Sequence, residues 1–259
     1  MHRQKSYAGA TLTINEAVGR ELLVPLYAYP GTQPELWSAL SARADTLAGV
    51  VLNPYNGPGG EREPEFAAVA ERLRAAGVPL LGYVDSDYGR RPHRGVVADA
   101  ERHRDWYGVD GIFLDQVGSG PELLPYYRRL AVAARSLDAA AVVFNPGVHP
   151  DPGFAEVADL LITFEGSWEQ YRAMRPPEWT ASFPARRFGH LVHGAPAGSC
   201  AAVPALARLR HAGVSYATPG TGANPWGVLM PQLLGPAAAR PADPPLPPAA
   251  APTATREWC

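Results

Sequence analysis

The 259-residue chain has only two cysteines, Cys200 and Cys259. Their spacing fits neither a zinc-ligand pattern nor a disulfide framework. No apolar run approaches the ~18 residues that a membrane-spanning helix needs, so no membrane partner is expected. Charge of one sign is also lacking, since 23 Lys and Arg stand against 25 Asp and Glu, a formal net charge of −2. That balance offers nucleic acid or an anionic lipid surface no electrostatic attraction. Residues 1–20 have basic residues but no apolar segment of signal-peptide length, which reads as a cytoplasmic protein. A start codon assigned too far downstream would make it a secreted one. No glycine-rich phosphate turn follows the first apolar run, and no cofactor is expected.

What the chain does have is 46% apolar residues, enough for a sizeable core, broken up by 28 prolines and 26 glycines. Eight times an apolar run ends in a polar residue and a helical or loop segment follows. The alternation predicts strands over 22–29, 49–53, 79–85, 111–116, 141–145, 160–165, 188–193 and 214–218. Helices are predicted over 34–44, 64–76, 96–107, 122–137, 154–157, 167–174 and 203–211. Pro64 and Gly77 are expected start and stop signals, and Ser167 is an expected cap. Strands joined by crossovers of this length pair in parallel. The fold class expected is α/β, a single-domain (β/α)8 TIM-type barrel over 21–235. A loosely ordered segment is expected over 1–20 and a disordered, Pro/Ala-rich tail over 236–259. An open doubly wound sheet is the competing architecture; eight units favour closure.

Barrel enzymes carry their chemistry at the C-terminal ends of the strands. Here those ends are Tyr29, Asn53, Asp85, Asp115, Asn145, Glu165, His193 and Thr218. In Gly111-Ile112-Phe113-Leu114-Asp115, strand alternation puts Ile112 and Leu114 on one face and Phe113 and Asp115 on the other. On strands one, four and six the opposite face is wholly aliphatic or aromatic, as packing against helices requires. Asp115 and Glu165 are therefore predicted to point to the barrel axis. They sit two strands apart, so their backbones are roughly 9–10 Å apart. Their carboxyl groups then meet at ~5–6 Å, as in a retaining glycosidase, or stand further apart, as in an inverting one. Asp85 is placed to raise the pKa of Asp115 by like-charge repulsion, or to pair with Arg90 or Arg91 and hold its own loop.

Aromatic faces pack on the C–H faces of sugar rings, and amides exchange hydrogen bonds with hydroxyls. Tyr27, Tyr29, Tyr83, Tyr88, Trp168 and Trp226 fall near the same mouth, with Asn53, Asn145 and Asn224. Tyr83 reads more readily as barrel core. No metal site is expected. His190 and His193 are three apart, on opposite faces of one strand, and no zinc-ligand cluster is present.

Several segments together resemble the spherulin-4 (spherulation-specific family 4) proteins. They are Leu23-Val24-Pro25-Leu26-Tyr27, Asn53-Pro54 with Gly57-Pro58-Gly59, Gly82-Tyr83-Val84-Asp85, Gly111 to Asp115, Asn145-Pro146-Gly147, Phe164-Glu165 and His190 to Gly194. The resemblance covers about residues 22–234. It implies an α/β barrel and kinship with glycoside hydrolases that cut polymers of N-acetylgalactosamine, such as fungal galactosaminogalactan. In that family the strand-four motif ends in Asp-Glu and a further Glu closes strand six. Asp115 and Glu165 match, whereas Gln116 stands where the second acid would be. An amide is neither a carboxylic acid nor a nucleophile.

The leading expectation is a glycoside hydrolase acting on an amino-sugar oligo- or polysaccharide, with Asp115 and Glu165 as its two carboxylates. Tyr27, Tyr29, Asn53, Asp85, Gln116, Asn145, His193, Asn224 and Trp226 are the expected substrate-binding residues. The alternatives are a carbohydrate-binding pseudoenzyme, suggested by Gln116, and a metal-dependent hydrolase.

Overall fold

Short runs rich in leucine and β-branched residues, each closed by proline, glycine or a polar residue, form strands; the longer amphipathic segments between them form helices. The computed structural model describes residues 20–235. The predicted N-terminal segment, but for Arg20, and the predicted tail lie outside the described residues. The strands are β1 (Leu22–Pro25), β2 (Leu47–Leu52), β3 (Leu80–Asp85), β4 (Gly111–Asp115), β5 (Ala141–Phe144), β6 (Leu160–Ser167), β7 (Phe188–His193) and β8 (Val214–Ala217). The helices are α1 (Pro34–Ser41), α2 (Pro64–Ala75), α3 (His93–Tyr107), α4 (Leu124–Ser136), α5 (Gly153–Val157), α6 (Trp168–Ala173), α7 (Val203–Leu209) and α8 (Pro231–Leu234). Neighbouring strands are all parallel, and β8 returns to β1 at the Leu22–Ser215 pair. This is a closed (β/α)8 barrel, as expected.

The alternation along β4 divides its side chains between two apolar layers. Phe113 stacks on Tyr83, their ring centroids 6.4 Å apart, in the layer that includes the barrel interior. Ile112 and Leu114 join Val96 and Ala100 of α3 and Leu130 and Ala134 of α4. Asp115 follows Phe113 to the axis. Gly82 lets α3 come close, because a Cβ there would stand 2.6 Å from the Cβ of His103. The buried His103 ring bonds the Tyr83 carbonyl at 2.7 Å, and burial pulls its pKa down to about 4.

Two strands depart from the expected pattern. β1 stops at Pro25 rather than Tyr29. Proline has no N–H for the ladder, and the Tyr27 N–H is taken by the Trp226 carbonyl at 3.1 Å. In β6 the register with β7 slips between Ile162 and Phe164, leaving Thr163 as an extra residue. Leu160 and Ile162 face inward, where a Cβ on Gly189 would meet them, and Leu161 packs outward with Phe144 and Phe188. After the slip Phe164 faces outward, against Tyr171 of α6 and His190. Glu165 therefore points inward. Ser167 then caps α6, accepting from the Gln170 N–H, while the Gln170 side chain accepts from the Ser167 N–H.

Candidate active site

Asp115 ends β4, Asn145 follows β5 and Glu165 lies near the end of β6. The Asn145 side-chain Nδ2 donates to Asp115 Oδ1 at 2.6 Å and also to Glu165 Oε2. Its orientation is fixed by the other end of the amide, where Oδ1 accepts from the Gly147 N–H at 3.1 Å. The Gly147 carbonyl in turn accepts from the Glu165 N–H at 2.9 Å. The Asn145-Pro146-Gly147 turn thus ties both acids together, and Gly147 allows it by adopting φ 67°. Two oxygens bonded to one nitrogen stand no more than ~6 Å apart. The separation left open by strand spacing is therefore the shorter one.

The surroundings of the two carboxylates differ. Burial raises the Asp115 pKa, but bonds from the Tyr83 hydroxyl, the Gln116 backbone N–H and the Asn145 amide oppose it by favouring the ion. The Asp85 charge is the smallest of these influences. Glu165 is pushed up to about 7, first by burial and then by the charge of Asp115, with bonds from Asn145 and the Trp226 indole acting the other way. The geometry holds one carboxylate among three donors and leaves its neighbour inclined to keep a proton.

Tyr83, read from the sequence as core, is buried and stacks on Phe113, yet its hydroxyl reaches Asp115. Period-two alternation from Asp85 gives its direction; the reach of the hydroxyl has no sequence signal. Tyr27 packs edge-on against Tyr83 at 5.9 Å and feels the charges of both Asp115 and Glu165. Trp226 reaches Glu165 and meets His193 edge-on at 5.9 Å.

The other candidate residues are engaged elsewhere on the rim. Tyr29 packs on Phe66 and donates to Glu63 at 3.2 Å. Asn53 is buried and its side-chain oxygen accepts from the Gly57 N–H at 2.9 Å. The exposed Asn224 donates to the Tyr27 carbonyl at 2.8 Å. Asp85 accepts from the Asp87 N–H at 2.7 Å; Arg90 pairs with Asp87, and Arg91 bonds the Asp85 backbone carbonyl and Asp99 instead of the Asp85 carboxylate. Thr218 donates to the Val228 carbonyl at 2.6 Å and holds the last loop. His190 lies outside the barrel wall, bonded to Tyr171, while His193 faces the mouth. Among the described residues no three His, Cys, Asp or Glu side chains group as metal ligands, and no helix is long and apolar enough to cross a membrane.

Residues 21–233 match the family described as spherulation-specific family 4. The chain belongs to this family. A curated member, Spherulin-4 of Physarum polycephalum, is 32% identical over 165 residues, which are 62% of this chain and 48% of that protein. The chain thus spans about half the length of that relative. Among solved structures, Sph3 of Aspergillus clavatus, in complex with GalNAc, aligns with a TM-score of 0.72 at 24% identity, covering 83% of this chain and 95% of that one. Deoxyribose phosphate aldolase of Aeropyrum pernix aligns at 0.51 and 14% identity, covering 80% and 88%. These likenesses are of fold. Gln116 of this spherulin-4 family member adopts φ 49° and contributes its backbone N–H to Asp115.

Proposed function

We propose that this protein is a glycoside hydrolase acting on an amino-sugar oligo- or polysaccharide of the N-acetylgalactosamine or galactosamine type. The observation that carries the reading is the Asn145 amide bonded to both Asp115 and Glu165. Sharing one nitrogen keeps the nearest oxygens of the pair close, which supports the narrow spacing of retaining enzymes over the wider gap that admits water. Glu165, inclined to hold its proton, gives it to the departing glycosidic oxygen. Asp115, favoured as the ion by three donors, attacks the anomeric carbon. Glu165 then takes a proton from water, whose oxygen displaces Asp115 and restores both groups. Tyr27, Tyr83, His193 and Trp226 supply the ring faces around the sugar. Family membership and the complex of Sph3 with GalNAc support the sugar class.

The test is hydrolysis of an N-acetylgalactosamine polymer. Asp115→Asn and Glu165→Gln are each expected to lower kcat at least ~100-fold while the fold is retained. Proton NMR of the wild-type product is expected to show the anomeric configuration retained. Full turnover in either variant, or inversion, contradicts the roles assigned. Gln116, standing where relatives carry a second acid, supports a second reading, a sugar-binding protein that does not cut. That reading predicts binding without product in the wild type.

A further inference from the structure

Six non-glycine residues among those described have positive φ. Asp138 and His211 follow α4 and α7, where chains commonly turn left-handed as a helix ends. The other four, Asn56, Asp87, Tyr88 and Gln116, lie in the loops after β2, β3 and β4, on one side of the barrel mouth. Tyr88 is the least expected of them. A bulky side chain in the left-handed region is strained, and such strain persists only where the surroundings impose it.

Here they do. Ser86 is fully buried; its N–H donates to the Asp115 carbonyl at 3.0 Å, and its hydroxyl stands 2.9 Å from the carbonyls of Asp115 and Gln116 and from the Tyr127 hydroxyl. The Asp87 N–H is held by Asp85, and the Tyr88 N–H donates to the Gln116 carbonyl at 2.7 Å. The β3–α3 loop is therefore bolted to the residue pair that ends β4. That anchorage uses only the backbone of Tyr88. The residue is 51% exposed. The guanidinium of Arg90, itself paired with Asp87, lies 5.6 Å from the ring centroid and braces the ring from one side.

We propose that Tyr88 is a stacking platform for a sugar ring of the substrate chain beyond the two that the bond at Asp115 and Glu165 joins. The proposal rests on the glycosidase reading and deepens it: the substrate is an extended saccharide chain, and the β3–α3 loop sets how much of it is gripped. The occupant follows from continuity with the acid pair, because Tyr88 bonds the backbone of the residue after Asp115. An exposed aromatic ring on a backbone fixed by hydrogen bonds suits the C–H face of a neutral sugar. Glycine would satisfy the same backbone without strain, so the tyrosine side chain costs local stability here.

The experiment compares wild type with Tyr88→Gly, Tyr88→Ala and Tyr88→Phe on N-acetylgalactosamine oligosaccharides from dimer to hexamer. Calorimetric binding of the same oligosaccharides and melting temperature are measured alongside. Tyr88→Ala and Tyr88→Gly are expected to lower kcat/KM for the hexamer about tenfold, through KM, with dimer cleavage unchanged and Tyr88→Phe close to wild type. Tyr88→Gly is expected to melt no lower than wild type. Equal losses at every length would assign Tyr88 a positioning role through Gln116, and no loss at any length would leave it no role; either result overturns the platform. If the wild type cuts none of the oligosaccharides, the hydrolase reading fails separately, and binding decides. A length-dependent loss of affinity in Tyr88→Ala sustains the platform, and unchanged affinity overturns it.

Discussion

In the proposed mechanism Glu165 couples activity to stability. Its pKa of about 7 in the folded chain lies above the ordinary carboxylate value of 4.5. The folded state therefore keeps a proton that the unfolded chain releases, and this contribution to stability falls as pH rises from 4.5 through 7. Glu165→Gln removes the effect. At pH 8 the variant is expected to be more stable than wild type by roughly 1–3 kcal/mol, an advantage that disappears near pH ~4, as denaturant titrations at the two pH values would read. Wild-type activity is expected to decline as pH rises through the region where Glu165 loses its proton, because the acid proposed to protonate the leaving oxygen is then spent. Activity that stays level to pH ~9 would remove Glu165 from that role.

At the scale of the element, β4 shows where sequence patterning is informative, and β6 and β3 where it is silent. The β4 alternation is legible because no residue interrupts it, and Asp115 lies on the face that Phe113 predicts. On β6 the same counting places Leu160, Ile162 and Phe164 on one face, whereas the slip at Thr163 turns the first two inward and the third outward. Glu165 still faces the axis, because the parity that matters is the one set after the slip. Residue types do not reveal an unpaired residue in a ladder. β3 adds a close approach that sequence shows only as a glycine. Gly82→Ala would drive a methyl group into the His103 ring, so it is expected to cost ~1–3 kcal/mol, or more if the Tyr83 carbonyl loses its partner. Thermal melting reads this directly; an unchanged melting temperature would mean that α3 shifts away freely.

For the whole molecule, eight apolar runs of similar spacing, joined by helix-length crossovers, made the closed barrel legible, and with it the end that carries polar residues. What stayed illegible was convergence. From the sequence Asn145 reads as a strand-end amide for binding substrate and Tyr83 as a core aromatic; only closure of the barrel brings one between two acids and the hydroxyl of the other onto Asp115. The left-handed backbone at Gln116 has no glycine to announce it either. The central claim is that these parts meet on one sugar ring. It is tested most directly by soaking a crystal of the protein with N-acetylgalactosamine. The account predicts a ring with its anomeric carbon facing Asp115 and its O1 within hydrogen-bond reach of Glu165. A sugar seated away from both carboxylates, or a mouth that stays empty at saturating sugar, would contradict it.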